Sequence, residues 1–379
     1  MDDWNAGITW LDEPRVTAAT GALAGKRVLV KDLIDTAGIR TTYGSALYRD
    51  HVPDRDALVV ERVLAAGGAI VGKGHLPEFA WAVLGGSPWY GMCHNPARPG
   101  RTTGGSSSGN GAALAAGLCD LALGTDTGCS IRLPAACCDV VGLKPAWGRI
   151  PLDGIYPLCP TLDTVGPMAR SVGDVALLWS VLAGAPVPEP RLDGLTVGLL
   201  RQAPGTGDGR ETEHSDEAEG WVVELERLGA RVVEASVPDA QADTWPLFLQ
   251  EAGESHARTF PSRADEYGPL MRTKLEGAAR VDPAAAKAAR RAVEEWRLYV
   301  PEVDLYVSPC VAIDWPAEDA DELEIRVQLS SFLRWVNLIG WSGLAIGNLQ
   351  LVAPRDETVL GVGLALEREG VSTPGRGSA

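Results

Sequence analysis

Histidine is scarce in this chain, with five in 379 residues, and none lies between positions 104 and 132, a stretch rich in serine and glycine. A nucleophilic serine must have a base, so a Ser-His-Asp arrangement is poorly supported. No apolar run is long enough to span a bilayer. The N-terminus lacks a basic region followed by an apolar run, so no secretory signal is expected. Positive charge is also short: 34 Lys and Arg against 50 Asp and Glu leave a formal net charge of -16. That balance disfavours nucleic acids and anionic membrane surfaces as partners. Cys93 beside His94 has no companions at zinc-ligand spacing, so no metal site is expected. The seven cysteines are odd in number and cluster at Cys129, Cys137 and Cys138. This suits a reduced cytoplasmic protein better than a disulfide framework.

What the chain does have is a soluble globular composition, 45% hydrophobic and 22% charged, and strand and helix signals along most of its length. Residues 27–35 read as a strand. Asp56 can cap a helix through Leu58, Val59, Arg62, Val63 and Leu64, and 69–71 read as a second strand, which implies a parallel pair. Later come a strand at 195–200, a helix at 215–228 and a strand at 231–235, with 205–215 as an exposed loop. Helices are expected at 245–263, 283–300 and 322–339, and strands at 303–309 and 345–352. Residues 1–24 read as an N-terminal arm anchored by Trp4 and Trp10, and 372–379 as a frayed end.

The chemistry is expected in 104–132, GGSSSGNGAALAAGLCDLALGTDTGCSIR. Gly104 and Gly105 permit a tight turn that presents Ser106, Ser107 and Ser108 at the start of a short Ala-rich helix. A short buried strand at 118–124 then runs into the polar turn Thr125-Asp126-Thr127-Gly128-Cys129-Ser130, whose main-chain N–H groups can converge on an oxyanion. Without histidine, a buried lysine whose pKa is lowered enough to leave it neutral is the better base. Lys31 closes the apolar run Val28-Leu29-Val30 and fits that description.

These motifs resemble the amidase signature family, which shows a strand ending in VKD, then GGSSGG, then GTDTGGSIR. The likeness extends through Val141-Gly142-Leu143-Lys144-Pro145 and the segment from Leu162 to Arg170, and is strong over 24–174. The resemblance implies one α/β domain over 1–379: a central mixed, mostly parallel twisted sheet covered by helices on both faces. It implies a Ser-Ser-Lys triad whose middle serine is held by a cis peptide. Carried over by position, Lys31 is the base, Ser106 the bridging serine and Ser130 the nucleophile, and the oxyanion hole is formed by the N–H groups of Thr127, Gly128, Cys129 and Ser130. It further implies an amidase that hydrolyses a small carboxamide through an acyl-enzyme, with no cofactor.

Several positions leave alternatives. Ser107 or Ser108 competes with Ser106 as the bridging residue, and spacing alone favours Ser106. Asp126 and Arg132 flank the nucleophile and are expected to brace the turn, with Ser107 in support. Lys73 and Lys144 are alternative bases, expected instead to serve nearby carbonyls. Cys129 stands where the family has glycine, which would cost on the order of 1 kcal/mol at positive φ, and its thiol is a rival nucleophile. Asp139 also replaces a glycine. The loop at 75–95 carries Trp81, Trp89 and Tyr90, either as a pocket wall or as satellite core packed under the loop; as a wall, joined by Tyr156, they favour an aryl or indolyl acetamide, and the resemblance implies that Cys310 faces the substrate. Alternatives are an allophanate or ureido-acid hydrolase, an acyl transferase with an amine acceptor, and a component of an amidotransferase. Homodimerisation stays open. The helix ending NLIG passes through Trp341-Ser342-Gly343 almost directly into one late strand, so the sheet is expected to be shortened there.

Overall fold

Alternation within single strands shows how the sheet is buried. Val28 and Val30 enter one apolar cluster while Leu29 enters another, and Leu121 and Leu123 part from Ala122 in the same way. Period-two side chains can do this only if both faces are covered. The computed structural model describes residues 2–204, 215–240 and 243–370; the expected loop at 205–215 lies outside them except for residue 215, and the end at 372–379 lies wholly outside.

Among the described residues, eleven strands form one sheet in the order Gly7–Arg15, Ala69–Gly74, Arg27–Lys31, Leu121–Asp126, Thr164–Ala169, Val141–Lys144, Ser342–Ile346, Leu349–Ala353, Leu305–Pro309, Thr196–Leu199, Arg231–Glu234. The helices Leu58–Ala65, Val172–Ala183 and Asp356–Arg368 contribute to one cluster, and Ser108–Ala115 and Arg132–Cys137 to another. The architecture is a single α/β domain.

The sheet is mixed but not mostly parallel. Ala69–Gly74, Arg27–Lys31 and Leu121–Asp126 pair in parallel, as do Leu305–Pro309, Thr196–Leu199 and Arg231–Glu234. Every other junction is antiparallel. A parallel junction needs a long crossover, whereas a tight turn gives an antiparallel one.

Three further expectations change. The N-terminal segment is an edge strand, not an arm: Gly7–Arg15 pairs with Ala69–Gly74, and Trp10 Nε1 donates to Asp2 Oδ2 at 2.8 Å. Asp56 does not cap its helix. It is held by Arg15 through two bonds of 2.8 and 2.6 Å and accepts from the Ala37 N–H at 2.7 Å. The sheet is not shortened after NLIG, because 345–352 is two strands, Ser342–Ile346 and Leu349–Ala353, folded back on each other at Gly347 (φ 52°) and Asn348.

The helix Glu322–Ile339 forms where expected, with the Asp321 side chain accepting from the Leu323 N–H at 2.8 Å and Gly340 closing it at φ 79°. All seven cysteines are free and buried. Among the described residues, no helix is long and apolar enough to cross a membrane.

Candidate active site

The last residue of the strand Arg27–Lys31 is wholly buried and points its amine at two hydroxyls. Lys31 Nζ donates to Ser106 Oγ at 2.7 Å and to Thr125 Oγ1 at 2.8 Å. Burial pulls Lys31 from its ordinary 10.5 down to about 7, against the opposing attraction of Asp126 and Asp163. A lysine so placed is neutral in a large fraction near pH 7.

Two glycines make room for this meeting. A Cβ at Gly105 would lie 2.8 Å from the Leu84 carbonyl oxygen and 2.9 Å from that of Ala82. The Gly105–Ser106 peptide is cis. A Cβ at Gly124, on the neighbouring strand, would approach Ser107 Oγ to 3.0 Å. Of the three serines, Ser106 is the one that Lys31 meets. Ser107 joins the two halves of the site, donating from its N–H to the Ser130 carbonyl at 3.1 Å and from its hydroxyl to the Thr125 carbonyl at 3.4 Å. Ser108 Oγ is buried without a hydrogen-bond partner among the described residues.

In the turn after Leu121–Asp126, the carbonyls are taken from behind. Gly128 O accepts from Arg132 Nη2 at 3.4 Å, Cys129 O from the Leu133 N–H at 2.7 Å, and Ser130 O from Ser107. The N–H groups of Thr127, Gly128, Cys129 and Ser130 make no hydrogen bond among the described residues. Main-chain donors left open in this way can serve a developing oxyanion. The turn is fixed by Asp126 and Arg132, both fully buried, with Arg132 Nε and Nη2 each 3.1 Å from the carboxylate. Asp126 also accepts from the Ile131 N–H at 3.0 Å and from Asn337 Nδ2 at 2.9 Å. Neither charge faces the cavity, so the pair braces.

Cys129 does not take positive φ, and the strain expected there is absent. Its thiol is pushed up by burial and by Asp126, the reverse of an activated thiolate. The strain falls instead on Asp139, which adopts φ 54°. Lys73 is occupied by the Ile34 carbonyl and by the hydroxyls of Thr36 and Thr41 at 2.9 and 2.7 Å, and Lys144 by the Pro145 carbonyl at 2.8 Å.

Thr127 to Ser130 form one wall of a cavity of about 560 Å³, including space open to solvent. Of the expected aromatics, only Trp81 lines it, together with Trp245 and Phe248, two residues that carry no motif in the sequence. Trp89 is part-exposed, its Nε1 donating to Glu78 Oε1 at 2.9 Å, and Tyr90 lies beside it away from the cavity. Tyr156 lines an adjoining cavity with Asp163 and packs on Tyr43 and Phe79. Cys310 is buried in the core, 3.8 Å from the Gly347 carbonyl, and does not line this cavity. Loop aromatics carry no periodicity, so their direction is not readable from sequence.

Another part of the lining is charged. Glu322, Arg326, Ser330 and Arg334 recur every fourth residue on the helix Glu322–Ile339 and all line the cavity. Lys274 joins them, bonded to Glu322 Oε1 at 2.8 Å and to the Trp81 carbonyl at 2.6 Å. Burial pulls Arg334 down to about 10, which leaves it charged at neutral pH. The spacing of this stripe is present in the sequence, but its direction depends on packing.

The chain matches the protein family described as Amidase over residues 9–365. The glutamyl-tRNA(Gln) amidotransferase A-subunit of Synechococcus sp. (strain CC9605) is 38% identical over 280 residues, 68% of this chain and 56% of that protein. The match thus spans little more than half of that relative. The protein of the same name from Halobacterium salinarum is 32% identical over 414 residues, covering 93% of this chain and 97% of its own. A crystal structure of an amidase superposes with a TM-score of 0.82 at 28% identity, covering 92% of this chain and 85% of that one.

Proposed function

This chain belongs to the amidase family, whose members hydrolyse carbon-nitrogen amide bonds, and on that premise we propose that it cleaves a small carboxamide through a Ser130 acyl-enzyme. Neutral Lys31 takes a proton from Ser106 as Ser106 takes one from Ser130, whose oxygen attacks the amide carbonyl. The oxyanion rests on the main-chain donors of Thr127 to Ser130. Collapse returns the proton along the same relay to the departing nitrogen, releasing ammonia or an amine and leaving an ester. Water then attacks that ester with the relay run again, and the carboxylic acid departs. No cofactor enters the proposal.

One observation carries the reading: a fully buried amine 2.7 Å from Ser106 Oγ, with its pKa drawn down to about 7. Support for the step to Ser130 comes from the bond between the Ser107 N–H and the Ser130 carbonyl, which holds the two serine segments together. The acyl group packs against Trp81, Leu158 and Phe248. An aryl or indolyl acetamide keeps the support of Trp81, Trp245 and Phe248, since Trp89 and Tyr90 lie elsewhere.

Purified protein is expected to release ammonia and the carboxylic acid from an amide set assayed with and without amine acceptors. Its similarity to amidotransferase subunits favours one second reading, in which the ammonia freed at Ser130 is passed to an acceptor acid, and amidation of an added acceptor acid would be the signature of that. Release of neither product refutes both. Because the working form of Lys31 is unprotonated, kcat/KM is expected to rise with pH through about 7 and then level off. A profile flat from pH 5 to 9 would remove Lys31 as the base.

A further inference from the structure

The segment Leu162-Asp163-Thr164 takes no part in the mechanism above, yet it lies against the donor turn. The strands Leu121–Asp126 and Thr164–Ala169 run antiparallel with Asp126 opposite Thr164, so one step further brings Thr127 beside Asp163. Thr164 Oγ1 donates to the Asp126 carbonyl at 2.8 Å, and Thr127 Oγ1 donates to Asp163 Oδ1 at 2.6 Å. The second bond is short, as expected where a hydroxyl meets a charged acceptor. The same carboxylate accepts from the Leu158 N–H at 3.0 Å and from the Cys159 N–H at 3.1 Å. Leu158 lines the cavity beside Ser130, so one side chain holds both the first residue of the donor turn and part of the acyl wall.

Among the described residues, the partners of Asp163 are one hydroxyl and two N–H groups, none of them cationic. A carboxylate drawn out of bulk water is normally met by a cation, and one that is not acts on whatever titrates nearby. Thr125, which takes a bond from Lys31, lines one cavity together with Thr127 and Asp163. Burial pulls Lys31 down, and Asp126, Cys129 and Asp163 oppose it. Of these three, the thiol is held neutral by burial and Asp126 is compensated by Arg132. Burial, helped by Glu251 from the helix Trp245–Ser255, pushes Asp163 itself up against the bonds from Thr127, Leu158 and Cys159. Glu251 is in turn matched by Arg290 at 2.6 Å. Asp163 is therefore the negative charge near Lys31 that no cation offsets.

We propose that Asp163 is a positioning residue of this site, fixing the Thr127 end of the donor turn through its hydroxyl and supplying the uncompensated negative charge beside the Lys31 amine. This rests on the amidase reading above and adds to it a residue that acts through two others. Asp126 braces the far end of the turn at the Ile131 N–H, and Asp163 braces its beginning.

The test reads the rate of fluorophosphonate labelling at Ser130 against pH, which needs the relay and the donor turn but no amide turnover. In the wild-type protein the rate is expected to rise through about pH 7 to a plateau. Asp163→Asn keeps an acceptor for the Leu158 and Cys159 N–H groups and removes the charge. A lysine relieved of a nearby anion loses its proton more readily, so the midpoint should fall by about one pH unit. Thr127→Val removes the hydroxyl and no charge; it should leave the midpoint at about 7 and lower the plateau about tenfold, and Thr127→Ser should restore most of it. Asp163→Ser, also uncharged, gives the same midpoint should the asparagine variant not fold. A midpoint that stays in place without the charge, or a plateau that Thr127→Val leaves intact, overturns the proposal, whatever either variant does to the melting temperature. The two changes together uphold it even if no amide in the set is hydrolysed, an outcome that sinks the amidase reading alone; wild-type protein that takes no label at Ser130 sinks both.

Discussion

Ser130→Ala is expected to lower kcat by at least about ten-thousandfold while leaving the melting temperature within a few degrees of wild type. Removing the attacking atom abolishes the covalent route, and only binding and the main-chain donors remain. The residual rate, measured as ammonia release under single-turnover conditions, decides the assignment: activity near wild type would sink it. Cys129→Ala separates the two neighbours, since a loss matching that of Ser130→Ala would make the thiol the nucleophile. The buried, raised Cys129 thiol argues for the hydroxyl. Labelling by a fluorophosphonate should vanish in Ser130→Ala and persist in Cys129→Ala.

The second large effect is expected at the brace. Asp126→Asn leaves the Arg132 guanidinium charged in a fully buried position, with its remaining acceptors the Leu333 carbonyl, Gln350 Oε1 and Asn337 Oδ1 at 2.8, 2.8 and 2.6 Å and the Gly128 carbonyl at 3.4 Å. Breaking a buried pair by neutralising one partner costs about 3 to 5 kcal/mol. The new amide also places a donor among the N–H groups of Ile131 and Asn337, which only an acceptor satisfies. Guanidinium unfolding should show the loss as a lower midpoint with little change in slope. A shift worth less than about 1 kcal/mol would mean that the pair is not what holds the turn. Activity should fall as well, because the four main-chain donors follow Asp126 directly.

Much of this is legible in the residues. The bounds of Glu322–Ile339 follow from an acceptor at Asp321, a glycine at 340 and an apolar stripe between them. The meeting of Lys31 with Ser106 follows from ordered motifs whose glycines leave space nothing larger could leave. Strand direction is not legible, because an apolar run reads the same in parallel and antiparallel pairing. Hence the sheet contains more antiparallel junctions than expected, and Gly347-Asn348, which reads as strand interior, is a reversal. The pocket is the least legible part. Trp89 and Tyr90 sit near Trp81 in sequence, but their loop turns them away, while Trp245 and Arg334 arrive from distant helices through packing alone.

The pairing of Val28 with Leu121, Leu29 with Ala122 and Val30 with Leu123 carries a consequence for when the chain can work at all. Lys31 shares the side of the ribbon that Leu29 occupies. Displacement of that junction by a single position would invert it and send the amine into the apolar layer of Val28 and Val30. The proposed relay therefore has its lysine in place only when that junction is in register. A chain with that junction out of register is expected to show no amide turnover.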